Sequence, residues 1–276
     1  MRRAVPFIVA VAVVVFAVRS GLFRKSTPVP TTTPPTNITP PKNPPIKPNT
    51  PTTMDVPRPS DPAVAAVMDE MLTAWDKIPA LFAEVGTKMP EAAGHKGKTQ
   101  GKGKYWLQKK DGKLLIQFDL RNMLIINQED ASSLATAEIL IWTIDGEHLY
   151  SYINQPSHKE AVKKKLNYDD VLQLAGPYLF RDLVTNNKLT LLPEEMRDNH
   201  ATKVIKAVPN DGSRESINYF DKATGIRVEM SELDAQGQTA LQIKVTEIDT
   251  NPTISDDRFK PVIPEGVKLV DKSNSP

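Results

Sequence analysis

The chain contains no cysteine, so any chemistry it performs uses no thiol nucleophile, no disulfide scaffold and no Cys-ligated zinc or iron–sulfur centre. What remains is four histidines among 33 acidic and 35 basic residues. His95, His148, His158 and His200 follow neither H-x-x-x-H nor HExxH spacing, and each reads as a surface or strand histidine. The acidic pairs Asp169-Asp170, Glu194-Glu195 and Asp256-Asp257 fall where helix starts or turns are expected, places where solvated carboxylates cap backbone N–H groups. There is no G-x-S-x-G elbow and no nucleophile with a base at a readable spacing. The expectation is a non-enzymatic chain without metal or cofactor.

One stretch imitates a phosphate site. Ala92 to Thr99, AAGHKGKT, matches a loose phosphate-loop pattern with alanine in place of the first glycine. A working loop of that kind opens a helix whose N-terminal N–H groups hold the anion. This one runs into Gly101-Lys102-Gly103-Lys104-Tyr105-Trp106-Leu107, which reads as a strand, so a solvated lysine loop is the better reading. Lys96, Lys98, Lys102 and Lys104, continued by Lys109, Lys110 and Lys113 and by a second cluster at Lys163 to Lys165, admit two roles. They form either an exposed, solubilising hairpin edge or a contact for anionic lipid head groups or an acidic partner.

The elements that position these residues are limited by composition. Of 276 residues, 39% are hydrophobic, and thirteen of the 24 prolines lie between Pro28 and Pro62. That window cannot pack a core, so residues 62–276 must fold as one domain. The overall charge of +2 divides unevenly: residues 1–25 carry five basic side chains and no acid, residues 26–61 three and two, and the rest 27 and 31. The folding part is mildly acidic, which argues against nucleic acid as a partner. Asp61-Pro62 is a helix start, and Val64, Val67, Met68, Met71, Leu72, Trp75 and Ile78 then recur at helical spacing up to Pro79. Ala80 to Val85 reads as a first strand.

Beyond it the period changes to two. Lys104–Lys110 and Lys113–Leu120 make a hairpin about Asp111-Gly112, and Leu134–Ile144 and Glu147–Ile153 a second about Asp145-Gly146. Ala201–Val208, Arg214–Phe220, Ile226–Leu233 and Gln238–Ile248 continue the series, with turns every 8 to 12 residues or so. Tyr168–Ala175 and Tyr178–Val184 interrupt with helical spacing. The expected fold is mainly β: one strongly curved antiparallel sheet with a few helices laid across its concave side.

The N-terminus reads as an export or anchoring signal. Met1-Arg2-Arg3 precedes an uncharged apolar run of 15 residues, Ala4 to Val18, closed by Arg19. That is the length of a signal-peptide core and short of the about 20 residues of a spanning helix, but Val18-Arg19-Ser20, with tolerated residues at the two required positions, is no A-x-A, and Arg19, Arg24 and Lys25 follow the run. A cleaved signal and a retained anchor both stand. Residues 26–61 are a Pro/Thr tract that favours extended polyproline II and reads as a linker or stalk. The chain is therefore placed in the cell envelope or periplasm.

Two stretches carry a resemblance. One is Ile144-Asp145-Gly146-Glu147-His148-Leu149-Tyr150-Ser151-Tyr152. The other runs from Ile226 to Val267 and contains Asp234-x-x-Gly237-Gln238-Thr239, Thr250-Asn251, Arg258-Phe259 and Pro264-Glu265-Gly266-Val267. In order and spacing they resemble the LolA/LolB-like outer-membrane lipoprotein carriers. The resemblance implies an unclosed antiparallel β-barrel with a helical lid, whose apolar concavity shelters the acyl chains of a lipoprotein or another lipid in a monomer. Leu114, Ile116, Phe118, Leu140, Trp142 and Ile144 would form one wall and Leu241, Ile243 and Val245 the other; each also fits an ordinary core. The carriers hold their lid with an arginine on an early strand, whereas this chain has Lys109, Lys110 and Leu115 in that hairpin. A stalked receptor for lipid or envelope stress, and a stalked interaction module with a solid core, are the alternatives.

Overall fold

The computed structural model describes residues 56–89, 99–125, 136–155, 158–167 and 172–273. The apolar run 4–18, the linker up to residue 55, His95, Lys96, Lys98 and Asp169-Asp170 lie outside them. Helix α1, Pro62–Asp76, starts as its sequence dictates: Asp61 accepts from the Ala63 N–H at 2.8 Å, and Pro62 occupies the first turn, where its missing donor is harmless. Val64, Val67, Met68, Met71 and Trp75 form its buried stripe.

Strands β1 (Ala80–Met89), β2 (Thr99–Lys110), β3 (Lys113–Ile125), β4 (Thr136–Ile144), β5 (His148–Gln155) and β6 (His158–Lys165) follow as an antiparallel meander. Helix α2 (Pro177–Asn186) leads into β7 (Asn187–Arg197), β8 (His200–Pro209), β9 (Ser216–Asp221), β10 (Arg227–Leu233) and β11 (Thr239–Asp249). A 3-10 turn at Asp256–Phe259 and β12 (Lys268–Asp271) end the described chain.

These strands form one sheet in the order β12-β6-β5-β4-β3-β2-β1-β11-β10-β9-β8-β7. The two meanders join where β1 pairs with β11, and only β12 on β6 is parallel. The ends of the sheet, β12 and β7, are not paired with each other, so the sheet is unclosed.

Alternation sorts the strands into two faces. Leu81, Ala83, Tyr105, Leu107, Ile116 and Phe118 point to the inner face and are buried, whereas Phe82, Trp106 and Gln117 lie between them on the outer face. Both helices pack on the inner face, where Leu179, Phe180 and Leu183 of α2 and the first three turns of α1 meet Ile205, Ala207 and Phe220.

The sequence expectations need three corrections. Of the helical spacing expected over Tyr168–Ala175, residues 168–171 lie outside the described residues and 172–175 are not helical: the backbone turns just after them at Gly176 with φ +90, and the carbonyls of Gln173 and Leu174 bond to Arg227 instead of to a helical turn. Glu194-Glu195 lie not at a helix start but on edge strand β7, where Glu194 bridges Lys203 and Lys222. The strands β6, β7 and β12 go unread in the sequence analysis. Lys163 of the second lysine cluster sits on β6 and pairs with Asp271 of β12.

Candidate functional site

Seven of the nine wall residues converge. Ile116, Phe118, Leu140, Trp142, Ile144, Ile243 and Val245 belong to one buried cluster on the inner face, although β1 and β2 separate the two groups of strands. Leu81, Ala83, Val85, Tyr105 and Leu107 fill that gap from those strands. Leu114 is half-buried and packs against the cluster, and Leu241 is buried on β11. The rings of Tyr105, Phe118 and Trp142 follow one another across β2, β3 and β4 at centroid separations of 6.3 and 5.6 Å. The surface is apolar from β5 to β11.

What covers this face is not a second sheet. The last turn of α1 contributes Trp75, then Ile78 follows, and the irregular segment 172–176 contributes Leu172, Leu174 and Ala175. In this conformation the inner face is filled by the chain's own side chains: Ile144 and Leu149 are fully buried and Trp142 is 3% exposed.

The cover is held at close quarters by two glycines. A Cβ at Gly176 would stand 2.5 Å from the indole nitrogen of Trp75, and one at Gly225 would overlap the Met71 carbonyl. Both have positive φ, so glycine is needed there twice over.

Two cations fasten it. Lys109 donates from Nζ to the Trp75 carbonyl at 2.6 Å and lies 4.2 Å from the centre of that indole ring, closing the carbonyl end of α1. Burial lowers its pKa, opposed by the charge of Asp76. Arg227 of β10, 8% exposed, donates to the Gln173 carbonyl at 2.9 Å and to Asn218 Oδ1 at 3.2 Å, while its backbone N–H bonds the Leu174 carbonyl at 2.7 Å. Burial lowers its guanidinium to about 10. Gln173 Nε2, also buried, has no acceptor among the described residues.

Sequence reasoning had Trp75 and Ile78 as helix stripe but missed the cover segment and Arg227. Nothing in a strand reading marks an arginine that points inward.

Of the four hairpin lysines, Lys102 and Lys104 are described, and no third lysine joins them among the described residues of β2 up to Gln108. Lys102 and Lys104 are exposed on β2, with Lys104 3.7 Å from Glu84, and Lys110 and Lys113 pair with Asp256 and Glu147. Among the described residues no group of three His, Asp or Glu could hold a metal ion, and no helix is long and apolar enough to cross a membrane.

The outer face carries a second feature. After β11 the chain crosses it from β1 towards β6, with Lys110 bonding Asp256 at 2.7 Å, Arg258 lying 4.4 Å over the Trp106 ring, and Val267 packed with Ile141 and Tyr152. Between this strap and the sheet is a cleft of about 660 Å3 lined by Phe82, Trp106, Gln117, Ile254, Arg258 and Val262, among others.

No protein-family model matches the chain, and no curated protein matches it in sequence. Solved structures are similar to it at low identity. An uncharacterized conserved protein from Thermus thermophilus is 12% identical over 76% of this chain and 99% of that one, with a TM-score of 0.48. The MucA/MucB complex of Pseudomonas aeruginosa matches at 12% identity and a TM-score of 0.46, over 72% of this chain and 62% of that one, so the chain spans less than two thirds of the matched chain's length. A LolA superfamily protein from Nitrosomonas europaea is 11% identical over 70% and 97%, with a TM-score of 0.27.

Proposed function

We propose that this chain is an exported, envelope-side carrier of acyl chains, which it shelters between the inner face of its unclosed sheet and the α1/172–176 cover. The observation that supports this most directly is the asymmetry of that core. One side is a continuous apolar sheet surface, and the other is a helix end and an irregular segment attached through backbone carbonyls to Lys109 and Arg227. Such a cover can leave without breaking any strand pairing.

An acyl chain then replaces Trp75, Leu172 and Leu174 against Phe118, Trp142 and Ile243, and the buried Gln173 amide can donate to an ester or amide carbonyl. No catalytic group is needed, because the gain comes from removing apolar carbon from water. The apolar run 4–18 supplies export, and the Pro/Thr tract 26–61 supplies a spacer between the envelope membrane and the domain 62–276.

Lipid extraction and mass spectrometry of the protein purified from its native envelope test the reading. Co-purifying lipid or lipopeptide, lost when Ile243→Asp is introduced, is expected; an empty protein that also fails to take up an acyl probe refutes it. N-terminal sequencing of the mature chain decides between a free carrier and a second reading favoured by the stalk, a membrane-tethered lipid receptor, which requires residues 4–18 to be retained.

A further inference from the structure

Arg227 is buried on the inner face without an anion beside it. It is 8% exposed, and its side chain bonds two neutral oxygens, the Gln173 carbonyl and Asn218 Oδ1. Asp182 of α2 and Glu232 act on its charge only through space. The exposed arginines are the reverse case: Arg58 and Arg121 stand 3.5 and 2.8 Å from Asp69 and Asp119, where water would have served as well. Burying a cation is costly unless an anion or a full set of hydrogen bonds compensates it. Arg227 still carries its proton at neutral pH, although burial lowers it to about 10.

Donors are also left over. Of the five N–H groups of a guanidinium, Arg227 commits two. Gln173 Nε2, on a residue 6% exposed, has no acceptor among the described residues. Unused buried donors on two residues bonded to each other, one of them charged, are suited to an oxyanion.

Their place in the fold says what carries that oxyanion. Ile226 and Met230, close to Arg227 along the chain, belong to the apolar cluster, and Leu172 and Leu174 flank Gln173 in the cover. A small free anion would lose its hydration in so apolar a place; one at the end of an acyl chain is brought there by the burial of its own methylenes. When segment 172–176 lifts, the Gln173 carbonyl leaves the guanidinium, and the freed N–H opens onto the inner face.

We propose that the carried ligand is an acidic lipid, whose carboxylate or phosphate oxygens take the place of the Gln173 carbonyl on Arg227 and accept from Gln173 Nε2. The proposal rests on the carrier reading and adds to it the charge of the head group. Neutral acyl esters enter the same space but leave Arg227 without its anion. A hydrogen bond to a charged group corresponds to a factor of about 10 to 100 in affinity.

The test uses the full chain in phosphatidylcholine nanodiscs, with each ligand displacing a fluorescent acyl probe. Palmitate and methyl palmitate form one pair, dipalmitoylphosphatidic acid and dipalmitoylglycerol the other; within a pair the chains are equal and the oxyanion differs. The readout is the preference for the acidic member, compared between wild type and variant so that partition into the bilayer cancels. Arg227→Met should lower that preference by about 10- to 100-fold in at least one pair, and the pair affected identifies the oxyanion as carboxylate or phosphate. Binding of the neutral members persists and shows that the variant has folded. Where Arg227→Met binds neither member, Gln173→Leu, which leaves both Arg227 bonds in place, must lower the same preference. Preferences that are equal in wild type and variant overturn the proposal and leave the carrier reading standing, since the ligands still bind. A wild-type protein from which none of the four displaces the probe, or which takes up no probe, overturns both.

Discussion

Arg227 is the position where fastening and folding can be separated. Replacing it with methionine keeps most of the side-chain volume and removes two hydrogen bonds, at 2.9 Å to the Gln173 carbonyl and at 3.2 Å to Asn218 Oδ1. A hydrogen bond from a charged group contributes about 1.5 to 3 kcal/mol. Only the first bond crosses from sheet to cover, so opening of segment 172–176 becomes easier by that amount, or roughly 10- to 100-fold. Global stability follows a different balance. The cost of leaving the buried Gln173 carbonyl and Asn218 Oδ1 without a donor is opposed by no longer burying a cation, so the midpoint of urea unfolding is expected to shift by less than the loss of both bonds alone would give.

The assay is amide hydrogen exchange, and residue 227 reports on itself: its N–H bonds the Leu174 carbonyl and persists in the variant. Arg227→Met should speed exchange at that amide by about 10- to 100-fold while strands β2 to β5 remain as protected as before. Equal exchange in the two proteins, or acceleration spread evenly over the sheet, would refute the idea that Arg227 holds a separable cover.

Three other outcomes follow from the same contacts. Gly225→Ala forces a Cβ at φ +70 into the Met71 backbone and should lower unfolding stability by more than about 2 kcal/mol in urea titration; a change within about 0.5 kcal/mol would show that α1 does not rest there. Glu194, hydrogen-bonded by Lys203 and Lys222, has its pKa lowered from 4.5 to about 2, so its contribution is complete above pH 4.5 and disappears as pH falls towards 2. Glu194→Gln should therefore flatten the acid limb of the stability curve in that window and nowhere else, as followed by circular dichroism. If Lys102 and Lys104 meet a membrane, Lys102→Gln with Lys104→Gln should weaken binding to phosphatidylserine vesicles at low salt by about 1 kcal/mol per lysine. Unchanged binding would leave them a solubilising strand edge.

How far the sequence could be read depended on how local the determinant was. Helix α1 and the hairpins about Asp111-Gly112 and Asp145-Gly146 were legible because a cap, a stripe of period 3.6 and a positive-φ glycine act within a few residues. Strand β7 was not: its middle reads Leu191-Leu192-Pro193-Glu194, and it tolerates that proline only as a bulged edge strand, which is a property of its place in the sheet. Residues 172–175, the described end of the helical spacing over Tyr168–Ala175, lost it to tertiary contacts, since the neighbouring Gly176 must admit the Trp75 ring. The wall residues could be selected by alternation on their strands, but their meeting across β1 and β2 depends on the β1–β11 pairing, which joins residues some 160 positions apart. Arg227 is the extreme case. Its role exists only through a backbone carbonyl that no side-chain pattern encodes.

A filled inner face raises the question of what could displace the cover. A sixteen-carbon chain gains about 11 kcal/mol from its methylenes, and an eight-carbon chain about 5. Exposing Trp75, Leu172 and Leu174 costs roughly 5 to 9 kcal/mol at 1.5 to 3 each, before the cost of association. A single short chain therefore loses to the protein's own side chains, and a single long chain comes close to balance unless the cover settles onto the ligand instead of entering water. Two long chains, at about 22 kcal/mol, win clearly. Loading should accordingly rise steeply from octanoyl to palmitoyl to dipalmitoyl ligands when each competes with a fluorescent acyl probe. Equal displacement by all three would mean that the ligand never enters the space now held by Trp75, and that the inner face is a structural core.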